Sequence, residues 1–253
     1  MSNEPTISII TVTFNAEKHL EETILSVKNQ IFKNIEYLIV DGLSKDNTLN
    51  IVKKHDNTVT KYISEKDSGV YDAMNKGVSM ASGDYIMLLH AGDLLHDNEV
   101  LERVFGQCGK LNSDIIYADT AIINESYQTV GLRHLKPPKH LSYKSFQKGM
   151  VVCHQAFIVK KALCDQHDIQ YAIAADIDWA IRITKKANSF CFYDAPLVKF
   201  MQGGLSTQKR FLGLRERFVI MTKHYGILTT VYNNVFLGFK YLLSLRFIEN
   251  IRK

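Results

Sequence analysis

The strongest constraint on the fold is the alternation of strand-like and helix-like segments in the first hundred residues. In the first helix-like segment, Leu20, Ile24 and Val27 recur at helical spacing, and Asn15 is placed to cap it. Short apolar runs predict buried strands at residues 7–14, 35–40, 62–64 and 85–89. Strands that alternate with helices are typical of a parallel sheet covered by helices.

The pattern becomes mixed beyond Asp97. We predict helices near residues 99–105 and 174–187, and strands near residues 115–123 and 156–159. The expected fold class is therefore α/β, a Rossmann-like and mostly parallel sheet flanked by helices, with a helical C-terminal extension. We divide the chain into a main domain, 1–207, with halves 1–96 and 97–207, and an extension, 208–253.

Composition limits where the chain is expected to work. The N-terminus MSNEPTISII lacks the pattern of a signal peptide, and no run approaches the roughly 18 apolar residues of a spanning helix. The four cysteines, Cys108, Cys153, Cys164 and Cys191, have no CxxC spacing and are expected to be reduced and buried. We therefore expect a cytoplasmic protein, soluble or peripheral to the inner membrane.

Polar side chains cluster where the first three predicted strands end. In an open parallel sheet, ligands bind outside the carboxyl ends of the strands. The candidates for nucleotide binding are Thr11, Thr13 and Asn15 after the first strand, Asp41 and Ser44 after the second, and Lys66 and Asp67 after the third.

Two common nucleotide-binding motifs are missing from the sequence. The loop after the first strand has no glycine, which argues against a G-x-G-x-x-G dinucleotide site, and no Walker motif occurs. A carboxylate that holds Mn²⁺ or Mg²⁺ could neutralise a diphosphate instead, and Asp93 follows the fourth strand. An aspartate after a strand is more often a turn or capping residue, so Asp93 alone is a weak signal.

Several motifs in this order resemble family 2 inverting glycosyltransferases. They are TVTFN, VDGLSKDNT, EKDSGVYDAMNKG and ASGDYIMLLHAGD, continued by HQAFIVKK, AADIDWAIR and GGLST, over roughly residues 5–207. The resemblance is greatest to the bacterial branch that builds colanic acid, O-antigen and capsule. It implies a GT-A fold with a nucleotide-binding half, 1–96, and an acceptor half, 97–207.

The resemblance also implies roles for the donor side. Thr13, Asn15 and Asp41 would contact the nucleoside, with Asp41 accepting a hydrogen bond from the base. Asp93 matches the last acid of the DxD-type motif that holds the metal. His90 and Gly92 stand where many relatives have Asp or Asn, which leaves His90 as a candidate metal ligand or ribose contact.

The catalytic base is expected at the start of a helix, where AADIDW offers Asp176 and Asp178. Residues two apart point about 200° apart on a helix, so only one can face the cleft. Asp178 has Arg182 four residues on, which predicts an ion pair. Asp176 has no such explanation and matches the aspartate of the family's usual Glu-Asp pair, so we assign Asp176 as the base.

Three further residues are assigned to substrate binding. Asn75 lies in the DAMNKG motif, and His154 lies near the acceptor side in the family pattern, although a structural role is as plausible for a lone histidine. Trp179 could stack on a sugar, but a helical tryptophan is more often in the core.

The expected activity is transfer of a sugar, with inversion, from a nucleotide-diphosphate sugar such as a UDP-sugar to a hydroxyl of a glycan or lipid-linked acceptor. The alternative is a catalytically weak binding subunit of a polysaccharide assembly complex. A sugar-nucleotide pyrophosphorylase would need a Gly-rich, basic loop after the first strand, which is missing. Acidic residues at the sheet edge argue against nucleic-acid binding.

Positive charge is concentrated in the C-terminal extension. Residues 209–253 have a net charge of +7, which leaves −2 for the preceding residues of a chain with net +5. Apolar residues are interleaved with the basic ones in a pattern typical of helices that lie on anionic membranes. The alternative is that the segment packs on the catalytic domain with a solvated basic face.

Overall fold

A computed structural model describes residues 5–204, 207 and 209–234. The strands are β1 Ile7–Thr13, β2 Ile35–Asp41, β3 Lys61–Ser64, β4 Tyr85–Leu88, β5 Leu94–Leu95, β6 Ile115–Ile123, β7 Thr129–Leu132, β8 Phe157–Lys160 and β9 Phe190–Met201. The α-helices are α1 Leu20–Lys28, α2 Thr48–Lys54, α3 Val70–Met80, α4 Val100–Cys108, α5 Ala175–Lys186 and α6 Arg210–Tyr225.

The described strands form one mixed sheet in the order β3-β2-β1-β4-β8-β6-β9-β5, and β7 pairs with β6. Strands β3, β2, β1 and β4 are parallel, whereas β8 runs antiparallel to both β4 and β6. The order reverses between β1 and β4, so the crevice at their carboxyl ends is the expected ligand position. The predicted α/β class is confirmed.

Side chains that alternate along β1 divide the core into two layers. Ile7 and Ile9 pack with residues of α1, α2 and α4 on one face of the sheet, and Ile10 packs with α3, α5 and α6 on the other. Gly77 of α3 permits close approach, because a Cβ there would lie 2.3 Å from the Ile10 Cγ2 atom. Both faces of the sheet are therefore covered, which fixes the carboxyl edge as its open side.

One local prediction is wrong, and one strand was not predicted. Helix α1 begins at Leu20, and Asn15 does not cap it: Asn15 has a φ of 49°, and its Oδ1 accepts a hydrogen bond from the Lys45 amide at 2.9 Å. Strand β9 has no counterpart in the sequence analysis. Asp194 and Pro196 interrupt its apolar pattern, and its pairing with β6 shifts register near that point.

Two of the four cysteines are not reduced, in contrast to the prediction. Cys108 at the end of α4 and Cys191 in β9 form a disulfide, with Cα atoms 5.7 Å apart. The prediction that all four cysteines are reduced is therefore wrong for these two, because α4 packs on β9 and brings positions 83 residues apart together. Cys153 and Cys164 are free thiols, and Cys153 is buried as predicted.

The described part of the C-terminal extension packs on the rest of the protein. Gly213, Ile220 and Met221 of α6 are buried, and Glu216 accepts hydrogen bonds from the amides of Ala172, Ile173 and Ala174 at 2.8–2.9 Å. This agrees with the packing alternative for residues 209–234, and the predicted amphipathic pattern beyond 234 lies outside the described residues. Within the described chain, no helix is both long and apolar enough to cross a bilayer.

Candidate active site

Four of the predicted site residues line one cavity of about 620 Å³. His90 and Asp93 follow β4, His154 precedes β8, and Asp176 lies in the first turn of α5. The structure thus brings together residues that are 86 positions apart in the sequence, at the carboxyl side of the sheet. This convergence supports a common chemical role for Asp93 and Asp176.

The loops after β1, β2 and β3 form a second group around Asp41. The buried Asp41 carboxylate accepts hydrogen bonds from Thr13 Oγ1 at 3.1 Å, the Ser44 amide at 3.0 Å, Ser44 Oγ and Ser64 Oγ at 2.6 Å. Two carboxylate oxygens offer about four acceptor positions. A direct contact to a base would therefore replace one of these bonds, and the nucleoside role of Asp41 stays a prediction.

The remaining loop residues lie beside this group. The Asn15 amide donates to Ser44 Oγ at 2.8 Å, and Asp67 lies against Gly42, where a Cβ would fall 2.3 Å from the Asp67 Oδ2 atom. Lys66 is exposed. The sequence therefore placed Thr13, Asn15, Ser44, Lys66 and Asp67 correctly along one edge, although none of them is among the described residues that line the cavity.

Two of the assigned residues, Thr11 and Asn75, make contacts within the protein. Thr11 is fully buried, and its Oγ1 lies 3.1 Å from the Tyr37 hydroxyl oxygen. The Asn75 amide donates to the His167 carbonyl at 2.9 Å and accepts from the His167 amide at 2.6 Å. Neither side chain is among the described residues that line this cavity, and their assignment to substrate binding stays a prediction.

Trp179 is part of the hydrophobic core and is not exposed for stacking on a sugar. It is 1% exposed, its Nε1 donates to the Asp165 carbonyl at 2.7 Å, and its ring stacks on His167 with centroids 4.9 Å apart. Of the two alternatives given for Trp179, the core position therefore agrees with the structure.

Asp93 is almost completely buried and well fixed. Its Oδ1 accepts from the Met201 amide at 2.9 Å, and its Oδ2 accepts from Gln155 Nε2 at 2.7 Å. Burial raises the pKa of Asp93 to about 7, against the opposing effect of these two bonds. The carboxylate is therefore held at the cavity wall by β9 and by the segment that carries His154.

His90 and His154 lie next to each other, with ring centroids 5.0 Å apart. His90 Nδ1 and His154 Nε2 are buried and have no hydrogen-bond partner among the described residues. Burial lowers the pKa of His90 to about 4, and burial together with His90 lowers that of His154. Both rings are therefore neutral near pH 7 and can offer lone pairs or N–H groups to a ligand.

Asp176 differs from Asp178 in the way the helix geometry predicted. Asp176 lies in the cavity wall with the Tyr71 hydroxyl 3.4 Å from its Oδ1, and burial raises its pKa. Asp178 points away, fully buried, and its Oδ2 accepts from Arg182 Nε at 2.7 Å. The predicted Asp178–Arg182 ion pair is confirmed.

Two cations of the cavity, Arg133 and Arg217, were not predicted from the sequence. Arg133 follows β7, and Arg217 lies in α6, within the segment that we separated from the main domain. No motif marked them, because Arg217 is one of several basic residues in a basic helix. Its burial is visible only once α6 is packed on the sheet.

The fold and this cavity define an α/β protein with a polar site at the carboxyl edge of its parallel strands. The glycosyl transferase family 2 model matches residues 8–167, and the chain belongs to this family.

Similar proteins agree with this assignment. A PGL/p-HBAD biosynthesis glycosyltransferase of Mycobacterium bovis is 30% identical over 227 residues, which is 85% of this chain and 81% of that protein. Staphylococcus aureus TarS, solved as residues 1–349 with UDP-GlcNAc, superposes with a TM-score of 0.66 at 18% identity, covering 87% of this chain and 67% of that one. The mannosyltransferase PcManGT of Pyrobaculum calidifontis, solved with GDP-Man and Mn²⁺, has a TM-score of 0.63 at 14% identity, covering 96% and 81%.

Proposed function

We propose that the protein transfers a sugar, with inversion, from a nucleotide-diphosphate sugar to a hydroxyl of a glycan or lipid-linked acceptor in bacterial surface polysaccharide synthesis. The observation that carries this proposal is the meeting of Asp93 and Asp176 at one cavity of a family 2 fold. A UDP-sugar is the favoured donor, since TarS, of similar fold, is described with UDP-GlcNAc.

Asp176 acts as the general base in this proposal. Its carboxylate accepts the proton of the acceptor hydroxyl as the hydroxyl oxygen attacks the anomeric carbon, opposite the leaving diphosphate. The Tyr71 hydroxyl and the Ile177 amide, which donates to Oδ1 at 2.9 Å, orient the carboxylate. A single displacement of this kind inverts the anomeric centre.

The residues present fit a divalent ion that is shared with the donor. The described residues contain no group of three His, Cys, Asp or Glu side chains that could hold a metal by themselves. Mg²⁺ is usually held by one or two carboxylates together with substrate phosphates. Asp93 would hold Mn²⁺ or Mg²⁺ in this way, and His90 Nδ1, to which no described residue is hydrogen-bonded, is a further candidate ligand. Such an ion stabilises the charge that develops on a leaving diphosphate.

Donor binding tests the proposal. Thermal unfolding is measured with UDP-, GDP- and dTDP-sugars, with and without Mn²⁺, followed by an assay of donor hydrolysis. We expect one nucleotide class to stabilise the protein by about 2.7 kcal/mol at a hundredfold excess over Kd. Asp93→Ala should remove the metal dependence. Absence of stabilisation by every donor would contradict the proposal, and stabilisation without hydrolysis or transfer would favour the binding-subunit alternative.

A peripheral contact of residues 208–253 with the inner membrane, at its cytoplasmic face, is part of the proposal. The side of α6 that faces away from the sheet exposes Phe211, Leu214, Phe218 and Val219, and Phe211 is 88% exposed. Basic residues in the same segment suit anionic lipid. This placement would bring the cavity close to a lipid-linked acceptor.

Vesicle flotation tests the membrane contact. We expect the full chain to float with vesicles that contain anionic lipid, and the double variant Phe211→Ser, Phe218→Ser to bind about tenfold more weakly. Both side chains are exposed, so the fold should be unaffected. Equal flotation of the two proteins would contradict the proposal, and so would equal binding to neutral vesicles.

A further inference from the structure

Arg217 is a cation in the cavity wall that has no hydrogen-bond or ion-pair partner among the described residues. Its guanidinium lies near Asp176 and Arg133 in the same cavity. Burial lowers the pKa of Arg217, Asp176 acts in the opposite direction, and Arg133 lowers the pKa further. A guanidinium in a cavity wall whose donors are not engaged by the described residues is available to pair with an anionic ligand.

Arg133 is held beside it. Its Nη1 donates to the Leu135 carbonyl at 2.9 Å, and its Nη2 donates to the Met150 carbonyl at 2.6 Å. A guanidinium has five N–H groups, so donors remain after these two bonds. The side chain is thus fixed before any ligand binds, and the segment that holds Arg133 in place is the one that contacts Arg217.

That segment leaves space for Arg217. Gly149 has a φ of 108°, and a Cβ at this position would lie 2.5 Å from an Nη2 atom of Arg217. A residue with a side chain would therefore be strained and would displace the guanidinium. Gly149 and Met150 bring the two arginines to the same wall of the cavity.

The charges act on the acceptor end of the cavity. Arg217 and Arg133 both lower the pKa of Asp176, against the larger effect of burial, which raises it. The pKa of Asp93 is governed by burial and its two hydrogen bonds, without a contribution from either arginine. The carboxylate of the proposed base therefore has two guanidinium groups near it in the same cavity.

We propose that Arg133 and Arg217 form a subsite for a phosphate group of the acceptor, adjacent to the hydroxyl that Asp176 deprotonates. The proposal rests on the proposed function of Asp176 and extends it to the chemical class of the acceptor. Guanidinium groups pair with phosphate oxygens through parallel, charge-assisted hydrogen bonds. A neutral sugar acceptor would offer these guanidinium groups no charge-assisted hydrogen bond.

Calorimetric titration with inorganic phosphate tests this subsite without turnover. We expect the wild-type protein to bind phosphate and Arg217→Gln to bind it about tenfold more weakly or worse. Arg217→Lys should bind phosphate with intermediate affinity, because lysine keeps the positive charge but cannot form the two parallel hydrogen bonds of a guanidinium. The matched control is Arg215→Gln, which removes an exposed charge from the same helix and should bind phosphate as the wild type does.

Titration with UDP and Mg²⁺ separates acceptor phosphate from donor diphosphate. If the subsite serves the acceptor, Arg217→Gln keeps wild-type affinity for UDP, and UDP does not displace phosphate. The proposal is overturned if the wild type binds no phosphate, if Arg217→Gln binds it equally well, or if the variant loses UDP and phosphate together. Failure of the proposed function would appear separately, as absence of donor hydrolysis by a protein that still binds phosphate.

Discussion

Asp176→Asn is expected to lower kcat by about 10²–10⁴-fold and to leave donor affinity unchanged. Asparagine has nearly the same shape and can keep the contacts with Tyr71 and the Ile177 amide, but it cannot accept the acceptor proton. Loss of a group that acts only in the transition state lowers kcat and kcat/KM together. The measurement is steady-state transfer, combined with donor titration.

The pH profile gives a second readout for the same variant. The base works in its ionised form, and burial raises the pKa of Asp176. In the wild type, kcat should therefore rise with pH at values above the ordinary range of a carboxylic acid, and this limb should be absent in Asp176→Asn. Transfer at the wild-type rate by Asp176→Asn, or an unchanged acid limb, would remove Asp176 from the mechanism.

The choice between Asp176 and Asp178 shows what a sequence can decide. Side chains two positions apart on a helix face different directions, and the i, i+4 spacing of Asp178 and Arg182 gave one of them a partner. Local geometry sufficed, because both relations lie within one helix. The first four strands were predictable for a similar reason, since each is a short local run that contains β-branched or aromatic residues.

Residues that depend on packing between distant segments were not predictable in this way. Strand β9 is interrupted by Asp194 and Pro196, and it forms because β6 and β5 pair with its two sides. Arg217 reaches the cavity only because Glu216, its neighbour, caps the amides that precede α5. The sequence contains these residues but not the contacts that give them a role.

The loops around Asp41 mark a limit of a different kind. Their identity as a cluster followed from the parallel strands, since the carboxyl ends of β1, β2 and β3 meet at one edge. Their hydrogen bonding did not follow, because Ser44 and Ser64 approach Asp41 only through the turns of the folded chain. The sequence pattern therefore predicted which loops meet around Asp41. The hydrogen bonds of the Asp41 carboxylate could be identified only in the folded structure.

Asp178→Asn is expected to lower the free energy of unfolding by about 3 kcal/mol at pH 7. The buried carboxylate accepts hydrogen bonds from Arg182 and from His224 Nε2 at 2.8 Å, and Lys223 Nζ lies 3.4 Å from its Oδ1. Removing this charge takes away the carboxylate that joins α5 to α6, and leaves Arg182 with Asp165 and Lys223 with the more distant Asp168 as their carboxylate partners. Urea denaturation measures the change, with Asp56→Asn, an exposed aspartate, as the control that should stay within about 0.5 kcal/mol.

Acid should abolish the difference between wild type and Asp178→Asn. Hydrogen bonds from His224 and Arg182 lower the pKa of Asp178 in the folded protein, against the desolvation that raises it. A depressed pKa contributes stability that is fully present above the unfolded value, about 4, and is lost as the pH falls toward the folded value. The two unfolding free energies should therefore differ by a constant amount near neutral pH and converge below about pH 4. A difference that persists unchanged in acid would mean that the asparagine disturbs packing, and that the charge of Asp178 does not hold α5 against α6.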